Sequence, residues 1–193
     1  GNTVQRKVHE SELSADAAEK GDFPHYMLKE IYEQPRAVAQ TLEERVAGGK
    51  LLEAAFGPAA QAVFAKTEAV RIVACGTSFH AASVAKYFIE QICRLPCWVE
   101  IASEYRYRNP VVPKNTLFVS VSQSGETADT LAALRLAKQA GYLSQLAICN
   151  VPESSLVRES ERVMLTRAGP EIGVAPTKAC TTQLAALDRL AVA

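Results

Sequence analysis

Six consecutive residues, SQSGET at 122–127, combine hydroxyl groups, an amide and a glycine. The polar donors are the side chains of Ser122, Gln123, Ser124 and Thr127. Each can donate a hydrogen bond to an oxyanion, and Gly125 permits a close backbone approach or a positive φ angle. Neutral donors of this kind suit a phosphate ester that backbone N–H groups also bind.

The hydroxyls of this loop also have an ordinary structural interpretation. Ser and Thr commonly cap helices, so a strand-to-helix turn is expected to contain one of them. A cap needs a single hydroxyl, whereas this loop offers three and an amide. The redundancy favours anion binding over capping alone.

The flanking residues predict a strand before this loop and a helix after it. Residues 116–121 form an apolar, β-branched run, and 128–138 has helical periodicity that Gly141 ends. The loop therefore precedes a helix N-terminus, where unpaired N–H groups and the helix dipole attract anions.

A second hydroxyl-bearing loop, GTS at 76–78, lies between a predicted strand at 70–75 and a predicted helix at 79–93. The apolar residues that recur on one side of this helix are Val84, Tyr87, Phe88 and Ile92. Further strands are predicted at 97–102, 145–149 and 162–166, and a closing helix at 177–193.

The alternation of strands and helices predicts an α/β fold with a doubly wound, five-stranded parallel sheet. The common flavodoxin-like order for five strands is 2-1-3-4-5, which places the first and third strands side by side with their helices on opposite faces. That order brings the two hydroxyl-bearing loops to one crevice. The meeting of these two loops favours phosphate-ester binding over helix capping as their role.

The chain is predicted to contain three regions: a linker or trimmed end at 1–21, a helical lead-in at 22–68, and the sheet domain at 69–193. In the lead-in, a helix at 23–34 is predicted to end before Pro35, which would start a second helix at 36–46. The first helix carries on one side Met27, Leu28, Ile31 and Tyr32. A third helical segment is expected within 51–66, interrupted at 57–58.

Composition excludes several classes of protein. The 21 basic and 21 acidic residues cancel, so no overall field recruits nucleic acid or a membrane surface. No apolar run approaches a membrane span and no signal-peptide core is present, so a cytoplasmic location is expected. The five cysteines lack Cys-x-x-Cys spacing and are interpreted as small hydrophobic residues, and no metal or cofactor is predicted.

Five segments together resemble the glucosamine-6-phosphate synthase family, the isomerising glutamine:fructose-6-phosphate aminotransferases. They are FPHYMLKEIYEQP at 23–35, CGTS at 75–78, VEIASEYRYR at 99–108, SQSGETADT at 122–130 and EIGVAPTKA at 171–179. The resemblance covers the first sugar isomerase (SIS) domain of that family with its lead-in helices.

The resemblance implies a substrate and a set of contacts. By it, Ser122, Gln123, Ser124 and Thr127 hold the phosphate of fructose 6-phosphate or glucosamine 6-phosphate. Thr77 and Ser78 contact the sugar or its phosphate, and the backbone near Val174 lines the ring. The family's catalytic glutamate, lysine and histidine belong to a second isomerase domain, so this chain is expected to bind substrate without turnover, and a homodimer is expected.

Other ionisable residues are expected to be structural. Glu126 would repel a phosphate unless its carboxylate turned away, and packing or ion pairing is favoured over catalysis for Glu171 and Lys178. His80 is expected on a helix surface, and His9 and His25 have no metal-type partners. Where the family commonly has serine, this chain has Pro176, which is compatible with the first turn of the final helix.

Two other functions are considered. A regulatory SIS domain would bind phosphosugars without reacting them, but it would usually carry an effector module such as a DNA-binding helix pair, and the lead-in lacks the basic face that DNA contact requires. A nucleotide-binding domain is disfavoured because Gly-x-Gly-x-x-Gly and the Walker lysine motif are absent.

Overall fold

The computed structural model describes residues 19–47, 50–57 and 59–193. Its main sheet has five strands: β1 Ala69–Ala74, β2 Cys97–Ile101, β3 Thr116–Ser122, β4 Ser144–Cys149 and β5 Arg162–Leu165. Its α-helices are α1 Tyr26–Leu42, α2 Ala60–Phe64, α3 Gly76–Phe88, α4 Ala102–Tyr105, α5 Ala128–Ala137, α6 Ser155–Glu159 and α7 Lys178–Val192.

All neighbouring strands of the main sheet are parallel, in the order β2-β1-β3-β4-β5. This is the predicted doubly wound order. Helices α3 and α7 supply residues to the apolar cluster on one face, whereas α5 supplies residues to the cluster on the other face. The helices that follow β1 and β3 therefore leave on opposite faces, as predicted.

Every residue of β1, β3 and β4 is buried, which explains their nearly continuous apolar sequences. The sequence placed Val84, Tyr87, Phe88 and Ile92 on one side of the helix after β1, and of these only Phe88 packs against the core. Val84, Tyr87 and Ile92 are exposed, with Tyr87 at 69%, and Ile92 lies in a π-helical segment, Ile89–Cys93, that continues α3. The buried apolar residues of α3 are small. These are Ala81, Ala82 and Ala85. Alanine lets the helix backbone approach the sheet closely, so the larger side chains lie outside.

The lead-in helix also differs from its prediction. Pro35 lies inside one continuous helix, α1. The prediction of two helices, one ending before Pro35 and the next starting there, was therefore wrong. Proline removes the N–H that would bond the carbonyl of Ile31. The side-chain amide of Gln34 donates to that carbonyl instead, with Nε2 3.1 Å from the oxygen. This bond satisfies the freed acceptor and is consistent with an uninterrupted helix.

Helix α1 packs on α7 through a face that its hydrophobic pattern does not indicate. Met27, Leu28, Ile31 and Tyr32 are all exposed, with Tyr32 at 69%. The buried residues of α1 are Glu30, Ala37 and Thr41. A polar face therefore joins the lead-in to the sheet domain, and an apolar face stays in solvent.

The rest of the lead-in forms short elements. Val46–Ala47 and Lys50–Leu51 pair as an antiparallel ribbon, followed by a 3-10 helix at Glu53–Phe56. The predicted helical segment at 51–66 is thus divided between that turn and α2, with Gly57 at φ +98° between them. Position 58, His9 and most of the predicted linker at 1–21 lie outside the described residues.

Candidate functional site

Strands β1 and β3 end side by side at the carboxyl edge of the sheet. Ala74 pairs with Val121, so Cys75 and Ser122 are the next residues on adjacent strands. From there the chain enters the loop at 75–78 on one side and the loop at 122–127 on the other. The two loops that carry the predicted donors therefore share one crevice, as the predicted strand order requires.

The serines of the 122–127 loop hydrogen-bond to the loop itself. Ser122 Oγ accepts from the N–H of Gly125 at 3.0 Å, and Ser124 Oγ accepts from the N–H of Glu126 at 3.2 Å. Both oxygens act as acceptors in these bonds, so neither bond uses the hydroxyl proton, although Ser122 is buried and Ser124 is half-buried. The structural interpretation of these serines and the anion-binding interpretation are therefore compatible.

Helix α5 presents its N-terminus to this loop. Thr127 is the N-cap residue, and within the described chain its side chain makes no capping hydrogen bond. Asp129 in the first turn would compete with an anion for the helix dipole. Its carboxylate is paired with Arg106, with Oδ1 2.7 Å from the guanidinium, which offsets that charge.

Gly125 is required by both conformation and space. Its φ is +68°, and an added Cβ would overlap Ser154 and lie 2.8 Å from Cys149 Sγ. The positive φ that the sequence allowed at this glycine is present, and the group that approaches position 125 belongs to the end of β4 and the turn after it. Gly125 brings the loop against the end of β4.

The carboxylate of Glu126 points away along the protein surface. Its Oε1 accepts from the backbone N–H of Ser155 at 2.7 Å, at the start of α6. This backbone hydrogen bond, with a second from the Ser155 side chain, lowers the pKa of Glu126 below its usual value. The expectation of a structural role for Glu126 is confirmed by this contact.

Thr77 and Ser78 lie in the first turn of α3, where Ser78 is buried and Thr77 is half-buried. The backbone carbonyl of Thr77 is 3.9 Å from Cys180 Sγ. Because Cys180 lies in the first turn of α7, this contact brings the N-terminus of α7 beside that of α3. The third wall of the crevice is therefore the start of α7 and the loop before it.

Glu171 connects the loop before α7 to the N-terminus of that helix by hydrogen bonds. Its Oε1 accepts from the N–H groups of Thr177 and Ala179 at 2.8 and 3.2 Å, and burial raises the pKa of its carboxyl group. Val174, between these anchors, is 99% exposed. Pro176 lies one residue before the N-cap residue Thr177, so it is just outside α7 rather than in its first turn.

Sequence reasoning missed Asn150, which organises the edge of the crevice. Its Oδ1 accepts from the N–H of Ala168 at 2.7 Å and from Thr166 Oγ1 at 3.0 Å. Its own N–H donates to the carbonyl of Gln123 at 3.3 Å. Asn150 thereby joins the chain after β5 to the 122–127 loop. A polar residue directly after the buried run of β4 was the available signal.

Lys178, His80 and His25 lie on or beside three different helices. Lys178 is 3% exposed and pairs with Glu33 at 2.6 Å, as its expected ion pairing requires. His80 is exposed on α3, and His25 is the exposed N-cap residue of α1. Among the described residues, no three His, Cys, Asp or Glu side chains are grouped to hold a metal ion. In the same part of the chain, no helix is long and apolar enough to cross a membrane.

Comparison with known proteins gives concordant similarities. The SIS domain family model matches residues 64–193. The isomerising glutamine–fructose-6-phosphate aminotransferase of Pseudomonas putida is 60% identical over 193 residues, which are 100% of this chain and 32% of that protein. The chain therefore spans about a third of the length of this curated relative.

Solved structures show the same relationship. The C-terminal domain of glucosamine-fructose-6-phosphate aminotransferase from Francisella tularensis superposes with a TM-score of 0.87 at 55% identity, over 90% of this chain and 49% of that one. A phosphosugar isomerase homologue from Silicibacter pomeroyi DSS-3 superposes with a TM-score of 0.71 at 29% identity, over 86% of this chain and 50% of that one. The resemblance noted in the sequence is confirmed.

Proposed function

The chain belongs to the SIS domain family, and on that premise we propose that it binds fructose 6-phosphate or glucosamine 6-phosphate in the crevice between β1 and β3. The phosphate would lie against the 122–127 loop, with donors from Ser122, Gln123, Ser124 and Thr127. Thr77 and Ser78 would face the sugar or its phosphate, and the backbone near Val174 would line the ring.

The observation that carries this proposal is the register of β1 and β3, which puts two hydroxyl-bearing loops side by side. Three independent features at that point favour a phosphate. The N-terminus of α5 faces the loop without a cap from Thr127, the serine protons are not used in the bonds within the loop, and the Glu126 carboxylate is turned toward α6.

The proposed role is binding without turnover. Aldose–ketose isomerisation needs a base within hydrogen-bond reach of the substrate C1 and C2 atoms. The nearby carboxylates are already engaged, Glu126 with α6 and Glu171 with α7. We therefore assign to the chain the role of the sugar-phosphate-binding half of an isomerase unit in an isomerising aminotransferase.

Two further parts of the proposal concern assembly and location. The exposed apolar face of α1, with Met27, Ile31 and Tyr32, supports the expectation of a homodimer. All five cysteines are free, which suits the reducing cytoplasm. A phosphosugar sensor remains the alternative function, and it would show the same binding without turnover; the similarity to aminotransferases favours the first assignment.

The proposal is tested by titrating ¹⁵N-labelled protein with glucosamine 6-phosphate and with unphosphorylated glucosamine. We expect the phosphorylated sugar to shift the amides of 122–130, and the double substitution Ser124→Ala with Thr127→Ala to abolish those shifts. Shifts of equal size with unphosphorylated glucosamine would contradict phosphate recognition at this loop. Product formation by the pure chain in a coupled assay would contradict binding without turnover.

A further inference from the structure

Glu30 of the lead-in helix hydrogen-bonds to the backbone of a loop 142 residues away in sequence. Glu30 is a charged residue that is only 2% exposed. Oε1 accepts from the N–H of Ile172 at 2.6 Å and from that of Gly173 at 3.1 Å, and Oε2 lies 3.2 Å from the same Gly173 nitrogen. One side chain of α1 thus holds two successive amides.

A side chain at position 173 would have to displace the Glu30 carboxylate from its hydrogen bonds. A Cβ on Gly173 would overlap Glu30 Oε2 and lie 3.6 Å from the Cα of Met27. The loop backbone therefore rests directly on the helix. Glycine serves here to permit close approach, since its φ is outside the left-handed region.

The same helix also holds the far end of the loop. Glu33 pairs with the buried Lys178 at 2.6 Å, and Gln34 accepts from the hydroxyl of Thr181. Both partners lie in the first turns of α7. Helix α1 therefore anchors both sides of the exposed segment that contains Val174, while Glu171 closes that segment from within.

A buried carboxylate is a costly way to attach a helix, because apolar packing would join two surfaces without desolvating a charge. What the carboxylate adds is a defined backbone conformation at 172–173, next to the residue proposed to line the sugar ring. We infer that Glu30 is a positioning residue that shapes the ring-side wall of the site. This inference rests on the proposed function, and it assigns the lead-in helix to sugar recognition rather than to phosphate recognition.

The test is to measure the affinities of Glu30→Ala for glucosamine 6-phosphate and for inorganic phosphate by calorimetry or NMR titration. We expect the affinity for the sugar phosphate to fall about tenfold, the effect of losing one well-formed buried contact, and that for inorganic phosphate to stay unchanged. The matched control is Thr41→Val. Thr41 is a buried residue of α1 that donates to the carbonyl of Thr166 instead of the loop, so its loss should leave both affinities unchanged.

Gly173→Ala provides a second variant in case Glu30→Ala folds poorly. Its new methyl group should displace the Glu30 carboxylate and give the same selective loss. The double variant should lose no more than either single one, because both act on one contact. A Glu30→Ala protein that keeps its sugar-phosphate affinity, or that loses affinity for phosphate and sugar phosphate equally, would overturn the inference. Wild-type protein that binds neither ligand would instead overturn the proposed function itself.

Discussion

The carboxylate of Glu126 accepts a hydrogen bond from the backbone N–H of Ser155, with 2.7 Å between Oε1 and the nitrogen. This bond connects the loop after β3 with the N-terminus of α6. It also removes the loop's own negative charge from the side where a phosphate would bind. A single contact therefore contributes to both the shape and the electrostatics of the site.

Replacing Ser155 by proline tests this relationship with little damage to the fold. Ser155 is the first residue of α6, a position that tolerates proline, and Ser154 before it is extended. The substitution removes both donors to Glu126, so the depressed pKa of Glu126 should rise toward its usual value. A side-chain NMR titration measures this change, and an unaltered pKa would show that Ser155 is not its cause.

The pKa of Glu126 also has a direct consequence for acid stability. Because the folded pKa is depressed, the hydrogen bond stabilises the protein above the unfolded-state pKa and is lost as the pH falls through the folded value. We expect wild type to have a larger free energy of unfolding than Ser155→Pro at neutral pH, and this difference to become smaller as the pH falls below about 4. Thermal melting across that range provides the measurement.

Gly125→Ala should destabilise the protein by about 2 to 4 kcal/mol, because it combines left-handed strain with a clash against Ser154 and Cys149. Gly141→Ala is the matched control. Gly141 has φ +82° but nothing within 4 Å of its Cβ position, so only strain of about 1 kcal/mol is expected. Equal losses in urea denaturation would mean that the close approach at Gly125 contributes nothing.

Glu100 should contribute more to stability than its exposed partner Arg108. It pairs with the buried Arg71 at 2.6 Å and with the exposed Arg108 at 2.7 Å. Glu100→Ala leaves the buried Arg71 guanidinium without its carboxylate, with only the carbonyl of Val111 still bonded, and should cost about 3 kcal/mol. Arg108→Ala removes only a surface pair and should cost less than about 1 kcal/mol. Denaturant unfolding of both variants would reveal a reversed order if this account were wrong.

The Cys97 thiol should lower the free energy of unfolding at alkaline pH. Burial, as the main cause, raises the pKa of its thiol from 9.0 to about 12. The folded state keeps this thiol protonated while the unfolded state ionises, so its contribution is complete below pH 9 and is lost as the pH rises through the folded pKa. Relative to Cys97→Ala, wild type should lose on the order of 1 kcal/mol between pH 9 and 10. Parallel stability curves for the two proteins would contradict this.

Much of the site could be predicted from the sequence because its determinants are local. The buried strands have continuous apolar runs, helix-forming segments follow them, and each loop stands at a strand end. Strand order then follows from general rules of parallel sheets, which is why the loops at Cys75 and Ser122 were predicted to meet. The SQSGET and GTS segments could be found without any tertiary information.

The sequence by itself determined the fold class, the strand order and the loops of the candidate site. Only the tertiary structure decided which face of α1 is buried, that Pro35 lies within a continuous helix, and that Glu30 reaches the loop at Ile172. The physical reason is that burial depends on the surface opposite. A helix pattern records which residues are apolar, but the surface opposite α1 consists of N–H groups of the loop before α7 and polar side chains of α7, so the buried face of α1 is polar.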